Sequence, residues 1–178
     1  NLYNMTRTEL ERVLAGKMHR SVIEQLIEWT IQSKRNFKVI MDCFTKAENK
    51  IDQRAAWVMS EVSLKNPEWV KPYWGLMLSS IEDETRHSSI RRNVFRVWQE
   101  LVIPEEIIGP AVDCIFRVVR DPNQDIAVRA FGLKILANAC DTFPELKTEV
   151  ALVIEDILPY ASSGLKNRCL KMLKKISA

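Results

Sequence analysis

Apolar residues recur every three or four positions along most of the chain, the spacing that collects them on one face of an α-helix. The clearest examples run over residues 90–101, 108–119 and 126–140. Proline, glycine and asparagine interrupt this pattern at intervals of about 15–20 residues. No segment shows the alternation of apolar and polar residues that is typical of a strand. The pattern therefore predicts an all-α protein of about nine or ten helices joined by short turns.

Two sequence markers repeat with nearly the same period. The dipeptide Pro-Glu occurs at spacings of 37 and 40 residues, beginning at Pro67, Pro104 and Pro144. We expect each copy to begin a helix, because proline at the first helical position gives up no hydrogen bond. Arginine recurs at spacings of 38, 37 and 39 residues, at Arg54, Arg92, Arg129 and Arg168. A shared period of about 38 residues predicts a solenoid of stacked helical pairs.

The segment 105–140 carries the most complete copy of the repeating unit. A first apolar helix leads to a turn that contains Asp121, and a second apolar helix then opens with Arg129 near its start. This arrangement resembles the HEAT and armadillo-like repeat family, and the resemblance extends over residues 51–178. It implies a right-handed α-α superhelix of about five stacked helical pairs.

The resemblance also implies a structural ladder, in which an aspartate of the turn holds an arginine early in the second helix. Asp121 with Arg129 fits this arrangement best, and Asp83 precedes Arg91 and Arg92 at a similar spacing. The expected ladder residues are Asp83, Asp121, Arg54, Arg92, Arg129 and Arg168.

We interpret the chain as one domain made of five repeat units. Their approximate bounds are 1–33, 34–66, 67–102, 103–141 and 142–178. The first unit is the least typical, as expected of a terminal unit that covers the core with a polar outer face. Whether residues 1–48 form true repeats stays open at this point.

The net charge is small but unevenly distributed. The 178 residues include 26 Lys and Arg against 23 Asp and Glu, which gives a net charge of +3. Residues 163–178 contain five basic residues and no acidic one. The rest of the chain contains 21 basic and 23 acidic residues and is therefore slightly acidic. The last helix should bury one side and show a basic strip on the other. The side predicted to be buried comprises Leu165, Cys169, Met172, Leu173 and Ile176. An anionic partner and a soluble end cap both fit this basic strip.

Composition and cysteine spacing favour an intracellular globular protein. A hydrophobic content of 47% excludes a disordered chain. No apolar run reaches the roughly 18 residues that cross a bilayer, and no signal peptide is visible. The cysteines lie far apart without a CxxC pair or a nearby histidine, which disfavours a zinc site or a disulfide framework. We expect Cys43, Cys114, Cys140 and Cys169 to be reduced and buried in a cytoplasmic protein.

No residue pattern indicates catalysis, a cofactor or a metal site. His19 and His87 lie outside any Ser-His-Asp or Cys-His arrangement, and we interpret the carboxylates at 82–84 as a helix end that pairs with the arginines after it. The five glycines form no phosphate-binding loop. The signature loop of the fumarase and adenylosuccinate lyase group is also absent. We predict no catalytic residue, no cofactor and no metal ligand, while enzymatic activity itself stays an open question.

Three groups of residues are candidates for contacting a partner. An arginine cluster lies on one helix, at Arg91, Arg92 and Arg96. Two tryptophans near a helix start, Trp69 and Trp74, would suit a partner groove if they were exposed, although core packing is the better explanation for them. The last helix adds Lys166, Lys171, Lys174 and Lys175.

These features lead to the hypothesis of a non-enzymatic protein-binding or scaffold module that uses the curved face of the solenoid. The alternative is a DNA-binding protein resembling the HEAT-like alkylpurine glycosylases. A DNA groove needs several phosphate contacts, and the basic charge of this chain is small and confined to one end. A protein partner therefore fits better than a nucleic acid, and self-association of an incomplete solenoid is a further expectation.

Overall fold

The computed structural model describes residues 5–46, 48 and 50–177. This part of the chain forms α-helices and short 3-10 turns and contains no strand, which confirms the all-α prediction. The helices are α1 (Arg7–Ala15), α2 (Arg20–Thr30), α3 (Lys34–Phe44), α4 (Ile51–Lys65), α5 (Trp74–Glu82), α6 (Ser88–Trp98), α7 (Glu105–Arg120), α8 (Ile126–Thr142), α9 (Lys147–Ile157) and α10 (Ser163–Ser177). Two helices fall in each predicted repeat unit, with α8 extending one residue further, and the repeat bounds themselves stay a prediction.

Each Pro-Glu marker lies at the start of a helical segment, but none of the three prolines is the first residue of an α-helix. Pro67 and Pro144 each begin a 3-10 turn, and Pro104 is the residue that precedes α7. After Pro67, an α-helix would need a backbone N–H at position 72, but that residue is Pro72 and has none to donate. The α-helix α5 therefore starts only after Pro72.

The chain divides into two compact units, the first ending at Val94 and the second beginning at Phe95. In the first unit α1, α2 and α3 all pack against α4. Burial of apolar side chains is the main favourable contribution to this packing. The fully buried ones on α1 to α4 include Leu10, Leu14, Leu26, Phe37, Ile40, Phe44, Val58 and Met59.

The second unit is built around α8, which packs against α7, α9 and α10. Gly132 lets α8 come close to α7, because a Cβ at this position would lie 2.6 Å from Cγ2 of Val119 and 3.3 Å from Cγ2 of Ile115. The apolar faces predicted for α7 and α8 are largely buried. Ile126 is an exception, since this first residue of α8 is exposed.

All four cysteines are free and buried, as predicted. Burial raises the pKa of the Cys43 thiol to about 11. No helix in the described part of the chain is both long enough and apolar enough to cross a membrane.

Candidate partner-binding surfaces

Two arginines of consecutive repeats, the expected ladder residue Arg129 and its counterpart Arg91, cap helix ends instead of pairing with the turn aspartates. Nε of Arg129, on α8, donates to the Val119 carbonyl at 2.9 Å. Arg91, on α6, donates from Nε and Nη2 to the Ile81 carbonyl at 3.2 and 2.7 Å. Val119 and Ile81 are the penultimate residues of α7 and α5, and carbonyls at helix ends lack partners within their own helix. Each arginine therefore satisfies the end of the preceding helix.

The two ladder aspartates instead organise their own turns. Asp83 Oδ1 accepts from the Thr85 N–H at 2.9 Å, and Asp121 Oδ1 accepts from the Asn123 N–H at 2.9 Å. Hydrogen bonds from the side chain and backbone of Thr85 lower the pKa of Asp83. Those from the Gln124 side chain and the Asn123 backbone lower the pKa of Asp121. The expected Asp121–Arg129 pair is thus replaced, because an amide two residues away is within the reach of a short side chain.

Of the three remaining ladder arginines, Arg54 also contacts carbonyls at a helix end, whereas Arg92 and Arg168 do not. Arg92 is exposed and has no hydrogen bond or ion pair within the described ranges, so Arg91, not Arg92, corresponds to Arg129. Arg54 donates from Nη1 to the carbonyls of Leu14 and Gly16 at the end of α1. Arg168 is half-buried and also lacks a polar partner among the described residues.

A buried ion pair in the first unit was not predicted. Arg86 lies in the turn after α5, and its Nη2 is 3.2 Å from Oδ2 of Asp52, whose side chain is 4% exposed. Arg86 also donates to Ser80 Oγ at 2.8 Å and to the Phe44 carbonyl, and its guanidinium lies over the Phe44 ring. Arg86 therefore turns inward instead of pairing with the carboxylates at 82–84.

The two candidate tryptophans lie mainly inside the first unit. Trp74 is 8% exposed, and Trp69 is half-buried with its ring 5.7 Å from that of Phe37. Trp57 on α4, by contrast, is 41% exposed. Helical spacing alone could not separate these cases, because a tryptophan at the margin of an apolar face can point either way.

A groove of about 380 Å³ opens in the second unit, between α8 and the segment that joins α6 to α7. Apolar side chains line part of it, and Val102 at its edge is 83% exposed. Lys134 forms an ion pair with Glu100 at 2.6 Å on the wall of the same groove. The groove thus combines an apolar lining with charged side chains, as partner-binding clefts commonly do.

Asn138 connects three segments of the second unit beside this groove. Its Nδ2 donates to the Gln99 carbonyl at 2.9 Å, and its Oδ1 accepts from Lys175 Nζ at 2.6 Å. Lys175 also donates to Asp141 Oδ2 at 2.8 Å. We call this chain of contacts the amide ladder. The sequence offered no signal for it, because an asparagine inside a helix is ordinarily solvated.

The four lysines predicted on α10 fall into two groups. Lys175 belongs to the amide ladder and is half-buried. Lys166, Lys171 and Lys174 are exposed and form no ion pair with the part of the chain that the structure describes. The opposite side of α10 buries Leu165, Cys169, Met172 and Ile176, as predicted, while Leu173 is half-buried.

The arginine cluster on α6 is also divided in its environment. Arg91 is held by the end of α5, and Arg96 is half-buried and engaged with neighbouring groups. Only Arg92 of the three is exposed. Of the histidines, His87 lies in the turn before α6 with Nδ1 2.9 Å from Ser89 Oγ. The described residues contain no group of three His, Cys, Asp or Glu side chains arranged to hold a metal.

Comparison with known proteins identifies the repeat type. A family model described as a HEAT repeat domain matches residues 10–176. Two crystal structures of engineered proteins from the Northeast Structural Genomics Consortium are similar over nearly the whole chain. The first has a TM-score of 0.63 and 13% identity over 96% of this chain and 71% of that chain. The second has a TM-score of 0.60 and 14% identity over 98% of this chain and 77% of that chain. No curated protein matches. At such identities the likeness concerns the fold alone, and it confirms the predicted all-α solenoid class.

Proposed function

The chain belongs to the HEAT repeat domain family, and we propose that it is a non-enzymatic module that binds a protein partner or serves as a scaffold. Stacked helical repeats expose extended surfaces formed by their loops and by the second helix of each repeat. Such surfaces suit the recognition of polypeptide segments. The proposal extends the family assignment to a kind of ligand.

The observation that carries the proposal is the groove beside α8. Val102 projects at its edge with most of its side chain in water, which leaves apolar area that a partner would cover. Ile103 and Phe143 continue the apolar lining. An exposed apolar residue next to a partly apolar cleft favours a side-chain anchor from a partner, because contact there removes apolar surface from water.

Polar groups around the groove would fix the position of a bound segment. Lys134 and Glu100 form one pair on its wall, and Asp141 with Lys175 forms a second pair beside it. The amide ladder holds Asn138 between them. Because these side chains are already ordered by one another, binding would cost less conformational entropy than ordering free side chains.

Of the α6 arginines, only Arg92 is kept as a candidate partner contact. Arg92 is exposed, whereas Arg91 stabilises the end of α5 through its hydrogen bonds to the Ile81 carbonyl. We therefore expect Arg92→Ala to leave the fold intact. Arg91→Ala should lower stability by about 1–2 kcal/mol, since it removes hydrogen bonds to a helix-end carbonyl.

The test is selection of peptides from a displayed random library on the folded chain, followed by measurement of binding by fluorescence anisotropy. Selected peptides should bind Val102→Asp at least about tenfold more weakly, because the variant places a charge where an apolar side chain of the peptide would otherwise be buried against valine. Leu152→Asp is the matched control, since Leu152 is 56% exposed in the same unit but outside the groove.

Two results would contradict the proposal. Failure to select any peptide that binds the folded chain would argue against peptide recognition. Binding of duplex DNA that weakens steeply with added salt would favour the nucleic-acid alternative instead.

A further inference from the structure

The outer face of α10, defined here as Lys166, Leu170, Lys171 and Lys174, is exposed along its length. Lys166, Leu170 and Lys174 follow one another at intervals of four residues, so they form a line along the helix. With a rise of about 1.5 Å per residue, the ends of this line are about 12 Å apart. Leu170 lies at its centre and is 49% exposed.

The positive charge on this face is not neutralised within the described part of the chain. The three lysines form no ion pair there, and α10 contains no acidic residue. Lys175 on the same helix shows the contrast, since Asp141 and Asn138 hold its ammonium group. The ammonium group of Lys175 is therefore neutralised within the unit, whereas those of the outer face are not.

The helix dipole does not account for the whole charge pattern. Lys174 lies in the last turn of α10, where the negative end of the dipole favours a cation. Lys166 lies near the helix start, where the positive end disfavours one, and no acidic residue accompanies it there. An anionic group from outside α10 would remove this unfavourable arrangement.

The position of Leu170 distinguishes among anionic partners. A membrane-surface helix uses a broad apolar face, but the apolar face of α10 is already buried against its own unit. Nucleic acid binding draws on many phosphate contacts, and a leucine between two lysines contributes nothing to them. A protein segment with an apolar residue between two carboxylates matches both the charge and the central leucine.

We propose that the outer face of α10 docks an acidic helical segment of a protein partner, with carboxylates on Lys166 and Lys174 and an apolar side chain on Leu170. This inference rests on the proposed protein-binding function and names the chemistry of the partner. The matching segment carries acidic residues eight positions apart with an apolar residue midway, because that spacing reproduces the line on α10.

The probe is a labelled helical peptide with leucine at its centre and glutamate four residues to either side, compared with a twin that has lysine in place of glutamate. Fluorescence anisotropy with the full chain should show binding of the acidic peptide and none of the basic twin. Raising the ionic strength should weaken binding, because solvent-exposed charges are screened within about 10 Å at 0.1 M salt.

Two variants test the two parts of the proposed contact. Leu170→Asp should weaken binding by about tenfold or more, since it replaces the apolar contact with a like charge facing the carboxylates. The double variant Lys166→Glu with Lys174→Glu should weaken it by at least about fivefold at low salt. Thermal unfolding followed by circular dichroism checks that both variants keep the fold.

Matched controls change the same chemistry elsewhere. Leu152→Asp places the same substitution at a similarly exposed leucine of α9, and it should leave binding unchanged. Lys17→Glu with Lys34→Glu makes the same change in net charge at two exposed lysines of the first unit, and it should also leave binding unchanged. Loss of binding in these controls would show that overall charge, not the α10 face, attracts the peptide, and would overturn the inference.

Other outcomes separate this inference from the proposed function. If library peptides still bind through Val102 while the acidic peptide does not bind, only the α10 proposal fails. Equal binding of the acidic and basic peptides would also overturn it. Binding of anionic vesicles or duplex DNA that is lost in the α10 variants, without binding of the acidic peptide, would assign the face to another class of partner.

Discussion

The two compact units of the chain secure their helices with different polar chemistry. In the first, a charge pair between Asp52 and Arg86 lies almost entirely out of water. In the second, Asn138 and Lys175 make their contacts at a half-exposed position beside a groove. Both arrangements join residues more than thirty positions apart in sequence, so each couples segments of different predicted repeats.

The difference in burial should make the Asp52–Arg86 pair important for stability, while the contacts of Asn138 and Lys175 can be exchanged for contacts with water or a partner. A buried ion pair is costly to break because the remaining charge stays without solvent or partner. A half-exposed amide and ammonium can exchange their contacts for water at little cost. We therefore expect the first unit to be the more sensitive to loss of a polar side chain, and the second to be the more adaptable to a partner.

The largest expected effect is that of Arg86→Met. The change would leave the Asp52 carboxylate buried without its cation and remove the hydrogen bond to Ser80, so the free energy of unfolding should fall by about 3–5 kcal/mol. Urea denaturation followed by circular dichroism measures the change. Arg92→Met is the control, because this exposed arginine has no polar partner in the described structure; its effect should stay within about 0.5 kcal/mol.

A companion variant sharpens this first prediction. Adding Asp52→Asn to Arg86→Met removes the unpaired buried charge, so part of the lost stability should return. If the double variant were as unstable as the sum of both single changes, the ion pair would not be the source of the effect.

Alkaline pH should also reveal the buried character of the first unit. Burial raises the pKa of Cys43 to about 11 from an ordinary value of 9.0, so between these two values the unfolded chain loses this proton and the folded chain keeps it. The free energy of unfolding should therefore be unaffected by Cys43 below about pH 9 and fall by roughly 2–3 kcal/mol by about pH 11. Urea titrations across this range measure the decline.

The matched comparison for this pH dependence is Cys43→Ala. Its stability at neutral pH is lower because a thiol is removed from the core, but its decline between pH 9 and 11 should be shallower than that of the parent chain. Parallel pH profiles for the two proteins would contradict the assignment of the decline to Cys43.

Close packing in the second unit is tested by Gly132→Ala. Alanine favours a helix over glycine by up to about 1 kcal/mol, but the added methyl group would meet Val119 at 2.6 Å. Valine is stiff about χ1, so we expect net destabilisation of about 1–2 kcal/mol. Gly109→Ala on α7 is the control, since nothing lies within 4 Å of a Cβ there; it should be neutral or stabilising. Stabilisation in both variants would show that α7 and α8 can separate without cost.

Apolar spacing and repeat period predicted the fold class well because they reflect constraints that recur in every repeat. Four of the five residues predicted on the buried face of α10 are buried, and the fifth, Leu173, is half-buried. This prediction succeeded because the periodic spacing of several apolar residues defines a helix face without knowledge of any particular contact. The Pro-Glu marker at Pro67 predicted the start of an α-helix less well, because Pro72 delays α5 until Trp74.

The candidate surface was harder to predict because it depends on contacts between distant segments. The contacts of Arg86 with Asp52, of Asn138 with Gln99 and of Lys175 with Asn138 each join residues more than thirty positions apart, and no local pattern indicates them. The arginine period was informative, but a shift of one residue separates Arg91, which caps α5, from exposed Arg92. A period known only to within a residue or two cannot resolve that difference.

The smallest expected effect concerns the amide ladder. Asn138→Ala removes the hydrogen bonds to Gln99 and Lys175. Lys175 is half-buried and can turn to water, and Gln99, although only 8% exposed, lines the same groove as Asn138, so water entering from the groove would replace the lost contact. The free energy of unfolding should therefore fall by only about 1 kcal/mol. Lys175→Met should cost less still, within about 0.5–1 kcal/mol, because the Asp141 side of its ion pair is 65% exposed and the carboxylate left behind stays in water. Urea denaturation of both variants beside Arg86→Met gives the comparison directly. A loss of 3 kcal/mol or more for Asn138→Ala would mean that the ladder supports the second unit as strongly as the buried ion pair supports the first.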